Sequence, residues 1–198
     1  MNKLKIDCHA TTEKGPTRNE NQDHFLIADL VKAVRIQQTS LGYAGHSSVT
    51  GHSHGKVLLV ADGMGGSAAG RRAANLAIDE TINYMVNRMQ WYAFQSQSND
   101  AFEKERLNKD LIQAIKYCQQ RIQNEAEWSI DRQGMGTTLT FGLVDWPMVH
   151  IVHVGDSRCY RLRDSRIEQL TRDHTMAQVY QEAGRAIDAG KEQDEPVG

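Results

Sequence analysis

The chain has 198 residues, with 23 lysines and arginines against 25 aspartates and glutamates and a formal net charge of −2. This length suffices for one domain with a sizeable core, and the near balance of charge argues against a surface for nucleic acid or anionic lipid. No apolar run approaches the roughly 18 residues of a membrane span, the start has no signal-peptide core, and three scattered cysteines form neither a zinc spacing nor a disulfide framework. We therefore expect a single cytoplasmic domain over residues 1–198 that binds neither nucleic acid nor membrane.

The first third of the chain predicts short strands and one long loop. Apolar alternation predicts strands over residues 4–9, 23–28 and 33–38. Residues 41–55 are rich in Gly, Ser, Thr and His, which is typical of a long hairpin loop. Histidine-rich tracts can bind metal, but no cysteine or carboxylate lies among His46, His52 and His54. A solvated loop is therefore favoured there over a metal site.

Helices and then more strands follow. Apolar residues at helical spacing predict helices over residues 71–89 and 102–128, and Cys118 lies on the apolar stripe of the second. Short strands are predicted over residues 137–144, 149–154, 159–163 and 167–170, with turns at 145–148 and 164–165 and a last helical stretch at 173–189. Strands at both ends of the chain with two long helices between them predict an α+β fold rather than a parallel sheet.

The most informative segment is Val57-Leu-Leu-Val-Ala-Asp62-Gly63-Met64-Gly65-Gly66, which lies between the loop and the first helix. The apolar run predicts a buried strand, and a carboxylate at its end must be solvated, paired or bound to a metal. A hard divalent cation suits one carboxylate beside exposed backbone carbonyls. Two alternatives stay open on this segment alone. One is a tight turn with a solvated aspartate, and the other is a dinucleotide-binding turn, from the loose match Gly63-x-Gly65-x-x-Ala68.

Further clusters favour the metal site. They are Glu13-Lys-Gly-Pro-Thr-Arg18-Asn-Glu-Asn-Gln-Asp23, Met135-Gly-Thr-Thr138, His153-Val-Gly-Asp156-Ser-Arg158 and Leu170-Thr-Arg-Asp-His174. In this order, from about residue 6 to 184, the segments resemble the PP2C (PPM) family of metal-dependent protein phosphatases, in its bacterial branch. The resemblance implies an α+β fold with a PP2C-like β-sandwich, flanked by pairs of long antiparallel helices, and with metals at one end.

The resemblance also implies a reaction and its residues. Family members hydrolyse phosphoserine and phosphothreonine monoesters with a metal-activated water, using two Mg²⁺ or Mn²⁺ ions and, in bacterial members, a third weaker one. Asp62 resembles the ligand shared by both metals, Gly63 the ligand that binds through its carbonyl, and Asp23 the acidic position of the N-terminal motif. Asp156 resembles the auxiliary ligand of the third metal, and Arg18 the arginine that grips the substrate phosphate. The implied partners are phosphorylated proteins, including a Ser/Thr kinase and its substrates.

The chain also departs from the family pattern. Gln22 stands where the family often has Glu, and Met64 stands where some members carry His, so Met64 cannot protonate the leaving alcohol. Thr137, Thr138, His153 and Arg158 are interpreted as structural. The family's C-terminal Asp-Gly and Asp-Asn motifs are not found, so we expect a C-terminally incomplete domain with weak metal binding and little turnover. The alternative hypothesis is a catalytically silent phosphatase-like module that binds or senses a partner.

Overall fold

The computed structural model describes residues 6–38, 48–89 and 101–175. Its central element is an antiparallel sheet in the order β1-β2-β4-β5, with a short β3 paired to the end of β2. These strands are β1 (Asp23–Arg35), β2 (Ser48–Met64), β3 (Gly136–Thr137), β4 (Leu139–Asp145) and β5 (Met148–Val154). A separate hairpin pairs β6 (Tyr160–Arg163) with β7 (Arg166–Gln169). Together with the helices described next, this confirms the predicted α+β class.

Two long helices pack side by side against one face of the sheet. They are α1 (Ser67–Arg88) and α2 (Ala101–Glu127), close to the two predicted helices. Arg72 near the start of α1 pairs with Glu125 near the end of α2, and Tyr84 packs against Tyr117 with ring centroids 5.7 Å apart and ring planes inclined at 45°. The contacts run in opposite chain directions, so the helices are antiparallel. Within the described residues, no helix combines the length and apolar character that crossing a bilayer requires.

The core lies between the helices and the inward-facing residues of the sheet. Because side chains alternate along a strand, β2 points Val57, Leu59 and Ala61 at the helices, and each is at most 1% exposed. Phe141 and Leu143 of β4 join them, also at most 1% exposed. On α2, Cys118 is buried beside Thr81 of α1, so its predicted place in the core is confirmed.

The other face of the sheet remains open in the part of the chain that the structure describes. Phe25 and Val60 are cross-strand partners on this face and are 41% and 48% exposed. The β-sandwich that the resemblance implies would place a second sheet over this face. Among the described residues only the β6–β7 hairpin is available as a second sheet, and it has two strands.

Several predicted boundaries in the N-terminal third were wrong. Residues 6–9 of the predicted first strand 4–9 are not in a strand, and residues 36–38 of the predicted strand 33–38 lie beyond the end of β1. Residues 23–28 and 33–35 belong to the single strand β1, whose register is irregular between Leu30 and Ala33. Residues 48–55 of the predicted 41–55 loop form the first half of β2, because backbone pairing with β1 needs no apolar side chains. Residues 41–47, with His46, and the side chains of His52 and His54 lie outside the described residues.

The predicted turns after β4 agree better with the structure. The turn after β4 contains a cis Trp146–Pro147 peptide, and Asp164 and Ser165 form the predicted tight hairpin with φ angles of 49° and 61°. Two adjacent residues with positive φ are typical of the two-residue turns that match strand twist. Residues 173–175 of the predicted last helix are irregular, and the rest of that stretch lies outside the described residues.

Candidate metal and phosphate site

Two aspartates face each other at one end of the open sheet face. The antiparallel register places Asp23, the first residue of β1, opposite Asp62 of β2. The Asp23 carboxyl group is close enough to raise the pKa of Asp62, and Asp156 and Arg18 also act on Asp62 electrostatically. Sequence positions 18, 23, 62 and 156 are therefore brought together, as the resemblance implies. All four residues are solvent-exposed, so the site is accessible from outside.

The carboxylate pair carries unbalanced negative charge. Burial of its carboxyl group, although the residue as a whole is exposed, is the main cause that raises the pKa of Asp62. The charge of Asp23 and the hydrogen bond to it act in the same direction, as does the charge of Asp156, while the Arg18 guanidinium opposes them. Two neighbouring carboxylates disfavour joint ionisation unless a proton or a cation lies between them. This is the electrostatic setting that attracts a metal ion.

The backbone around Asp62 is held tightly by two threonines. The Asp62 carbonyl accepts hydrogen bonds from the Thr138 N–H at 2.8 Å and from Thr137 Oγ1 at 2.9 Å. The Asp62 N–H donates to Thr138 Oγ1 at 3.1 Å. The strand end that presents the carboxylate is thus fixed on both of its backbone groups.

The glycine turn after Asp62 is set by close packing against α1. A Cβ at Gly63 would lie 2.0 Å from the carbonyl oxygen of Gly70, in the first turn of α1. Glycine is therefore required at position 63, because any side chain there would clash with the backbone of α1. Gly65 and Gly66 have φ angles of 109° and 89°, which glycine adopts readily.

The topology rules out the dinucleotide-binding alternative for this turn. That fingerprint belongs to a βαβ unit, in which a helix connects two parallel strands. Here β2 pairs antiparallel with β1, β3 and β4. The glycine turn therefore lies in a different architecture.

Asp156 is presented by a turn that packs directly on Thr138. Gly155 has a φ of 112°, and a Cβ there would lie 2.5 Å from Thr138 Cγ2. The Gly155 carbonyl accepts a hydrogen bond from the His174 N–H at 2.7 Å. On the other side of Asp156, Ser157 Oγ lies 2.7 Å from Thr138 Oγ1. These contacts hold the turn beside Asp62.

The neighbouring polar residues have partners of their own. His153 contacts Thr140 Oγ1 through Nδ1 and the Gly155 carbonyl through Nε2, both at 2.9 Å. Arg158 pairs with Asp173 rather than with Asp156, at 3.0 Å from Nε to Oδ1 and 2.6 Å from Nη2 to Oδ2. This ion pair lowers the pKa of Asp173. Both residues thus have the structural contacts that the sequence predicted for them.

The donor set fits a hard divalent cation. Within residues 6–38, 48–89 and 101–175, no three histidine, cysteine, aspartate or glutamate side chains converge into a ready-made cage. Mg²⁺ is usually held by one or two carboxylates, with water or substrate phosphate completing the shell. The paired oxygens of Asp23 and Asp62 match that requirement. The neutral amide of Gln22 adds no anion, and its Oε1 lies 2.8 Å from the position that a Cβ on Gly70 would take.

The family model for protein phosphatase 2C matches residues 44–184, and the chain belongs to this family. It is 35% identical over 130 residues to the serine/threonine protein phosphatase PstP of Mycobacterium tuberculosis, an alignment that covers 66% of this chain and 23% of PstP. It is 33% identical over 120 residues to the serine/threonine phosphatase stp of Listeria monocytogenes, covering 61% and 44% of the two chains. The chain thus spans less than half of either relative.

Solved structures agree with this assignment. The catalytic domain of PstP, solved in complex with two manganese ions, superposes with a TM-score of 0.59 at 28% identity, over 88% of this chain and 59% of that one. The PPM Ser-Thr phosphatase MsPP of Mycobacterium smegmatis, solved with cacodylate, superposes with a TM-score of 0.54 at 26% identity, over 88% and 56%. The PP2C-like fold is therefore shown by structure as well as by sequence.

Proposed function

We propose that this protein is a metal-dependent phosphatase for phosphoserine and phosphothreonine in proteins. The observation that carries the proposal is the facing pair Asp23 and Asp62, with Asp156 and Arg18 within electrostatic range. Family membership supports the reaction class, and the two manganese ions in the PstP complex support metal dependence.

Asp62 and Asp23 would hold Mg²⁺ or Mn²⁺ through their carboxylate oxygens. Asp62 would be shared between two ions, Gly63 would contribute its carbonyl oxygen, and Asp156 would help to hold a third. Divalent ions, when bound, lower the pKa of water and neutralise charge on phosphoryl oxygens. The chain's own contribution is to fix Asp62 through its backbone, so that the carboxylate does not reorganise during the reaction.

Arg18 would bind the substrate phosphate. The charge of Arg18 opposes the groups that raise the pKa of Asp62, so Arg18 is close to that carboxyl group. Arg18 is also exposed to incoming substrate. A guanidinium group matches two phosphate oxygens with a fixed fork of N–H donors. Arg18 would therefore orient the phosphoryl group against the carboxylate pair.

Proton transfer to the leaving alcohol falls to solvent in this proposal. Met64, two residues after Asp62, is 59% exposed and has no proton to give. Both ring nitrogens of His153 are engaged with Thr140 and Gly155. The open site gives water access to the leaving oxygen.

A catalytically silent module is the second candidate function. It is favoured by the lack of a convergent three-ligand cluster in the described part of the chain. Such a module would bind Mn²⁺ weakly and would recognise phosphorylated proteins, such as a kinase or its substrates, without hydrolysing them.

The test measures hydrolysis and binding in the same preparation. Release of phosphate from p-nitrophenyl phosphate and from a phosphothreonine peptide is followed at millimolar Mn²⁺, with EDTA and with Asp62→Ala as controls. Metal-dependent turnover that Asp62→Ala abolishes supports the phosphatase. Binding of Mn²⁺ and of the phosphopeptide without turnover supports the silent module. Turnover or Mn²⁺ binding that is unchanged in Asp62→Ala would remove Asp62 from the site.

A further inference from the structure

Thr138 connects the two segments that carry Asp62 and Asp156. Its Oγ1 accepts the Asp62 N–H at 3.1 Å and lies 2.7 Å from Ser157 Oγ. Its own N–H donates to the Asp62 carbonyl at 2.8 Å. The same side chain forms the surface on which Gly155 packs, since a Cβ at Gly155 would lie 2.5 Å from Thr138 Cγ2. One residue therefore contacts both neighbours of Asp156 and both backbone groups of Asp62.

The hydroxyl group in this position is confined. Thr138 is 7% exposed, so its hydroxyl oxygen has little contact with bulk water. Oγ1 accepts the Asp62 N–H, and in its 2.7 Å contact with Ser157 Oγ either hydroxyl can be the donor, so this one oxygen takes part in two hydrogen bonds. Removing it would leave the Asp62 N–H without its acceptor, and an unsatisfied buried donor is costly.

We propose that Thr138 is a positioning residue that sets the separation between Asp62 and Asp156. Its hydroxyl links the strand end that presents Asp62 to the turn that presents Asp156, so that the two carboxylates keep a fixed separation within the proposed metal site. The inference rests on the proposed metal site and extends it to a residue that holds no metal itself. Outer-shell partners of this kind typically alter metal affinity by roughly 10- to 100-fold.

Two substitutions separate the hydroxyl from the shape of the side chain. Thr138→Val keeps the branched shape that packs on Gly155 but removes the hydroxyl, whereas Thr138→Ser keeps the hydroxyl and removes the methyl. The matched control is Thr140→Val, two residues further along the chain in β4, where the lost hydroxyl contacts His153 at 2.9 Å instead of Asp62. If Thr138 is purely structural, the variant that loses packing, Thr138→Ser, should show the larger effect. If Thr138 is a positioning residue, the variant that loses the hydroxyl, Thr138→Val, should show it.

The first readout is Mn²⁺ affinity by calorimetry. We expect Thr138→Val to weaken binding by roughly tenfold or more, Thr138→Ser to retain most of it, and Thr140→Val to match the wild type. Wild-type affinity in Thr138→Val, or equal losses in the Val and Ser variants, would overturn the proposal. Absence of Mn²⁺ binding by the wild type would overturn the proposed function and, with it, the metal part of this inference.

The second readout needs no metal and tests directly the hydrogen bond between the Asp62 N–H and Thr138 Oγ1. Hydrogen exchange of the Asp62 amide, measured by NMR with EDTA present, should accelerate in Thr138→Val and remain slow in Thr138→Ser. Unchanged exchange in Thr138→Val would show that the hydroxyl does not hold Asp62, whatever the metal data. If Thr138→Val does not fold, Ser157→Ala replaces it, because Ser157 is the other partner of the same hydroxyl. Mn²⁺ binding weakened by roughly tenfold in Ser157→Ala would support the proposal, and wild-type affinity would overturn it.

Discussion

The two faces of the central sheet differ in what lies over them. On the helix-covered face, Leu59, Phe141 and Leu143 are at most 1% exposed, whereas Phe25 and Val60 on the opposite face are 41% and 48% exposed. Asp23 and Asp62 belong to the open face, at its end. A pair of like charges placed among the helix-facing residues would be costly to bury. The covered face therefore provides stability, and the open face keeps the two carboxylates of the proposed metal site accessible.

The largest expected effect comes from the covered face. Phe141→Ala should lower the free energy of unfolding by about 3–5 kcal/mol, because it leaves a cavity between the sheet and the helices. Val60→Ala, on the open face, should cost under about 1 kcal/mol, because the side chain is already half exposed. Urea unfolding followed by circular dichroism measures both. Similar losses for the two variants would show that the open face is covered in solution.

The next largest effect is expected at the end of β2, where the glycine turn packs against α1. Gly63→Ala should destabilise the fold by about 1–3 kcal/mol, because the new Cβ would meet the Gly70 carbonyl 2.0 Å away. Gly142→Ala is the control, since a Cβ there would meet nothing closer than 3.8 Å. Thermal unfolding of the two variants should therefore differ clearly. A tolerated Ala at position 63 would mean that the strand end and α1 are further apart than the structure places them.

On the open face, loss of Arg18 should affect substrate binding and leave the metal alone. A charge-assisted bidentate contact contributes roughly 1.5–3 kcal/mol, so Arg18→Ala should raise the KM for a phosphopeptide about 10- to 100-fold. Calorimetry with Mn²⁺ should give nearly the wild-type affinity, because Arg18 is a cation and holds no metal. Wild-type kinetics in the variant would exclude Arg18 from the phosphate site.

The smallest predicted effect is the pH dependence of the stability that the ion pair between α1 and α2 contributes. Arg72 hydrogen-bonds to Glu125 through Nε and Nη2, at 2.6 and 2.8 Å, and this pairing is the main cause that lowers the pKa of Glu125 in the folded state. Stability from the pair is therefore present above the unfolded-state pKa of about 4.3 and is lost as the pH falls through the folded-state pKa. Because Arg72 is 43% exposed, we expect under about 1 kcal/mol.

Unfolding of Glu125→Gln should show this loss at neutral pH, and the difference from the wild type should vanish in acid. Glu105→Gln is the control, since Glu105 pairs with Lys109 along the exposed surface of α2 at 65% and 70% exposure. A difference between Glu125→Gln and the wild type that persists in acid would mean that the side chain acts through packing rather than charge.

Local patterns in the sequence were sufficient for the helices and for the buried part of β2. Apolar residues at helical spacing place α1 and α2 to within a few residues, since an amphipathic helix must bury one stripe. The run Val57–Ala61 that ends in Asp62 identifies the strand end and the carboxylate at once. The motif order identified the family, which the match over residues 44–184 confirms.

Other features depend on pairing between distant segments. The Gly- and His-containing residues 48–55 were predicted as loop, yet they extend β2 because β1 offers backbone hydrogen bonds along their length. Thr137 and Thr138 were expected to be structural, but the sequence did not show that they hold Asp62, 75 and 76 positions away. Likewise, the requirement for glycine at position 63 comes from the carbonyl of Gly70 on α1.

By itself, the sequence determined which residues carry charge and which segments can bury an apolar face, because both follow from composition and local period. Only the tertiary structure decided that Asp23 faces Asp62, that Thr138 links Asp62 to the turn of Asp156, and which sheet face the helices cover. These relations depend on strand register and on packing between elements. Register is a property of two paired strands, so neither strand's sequence specifies it alone.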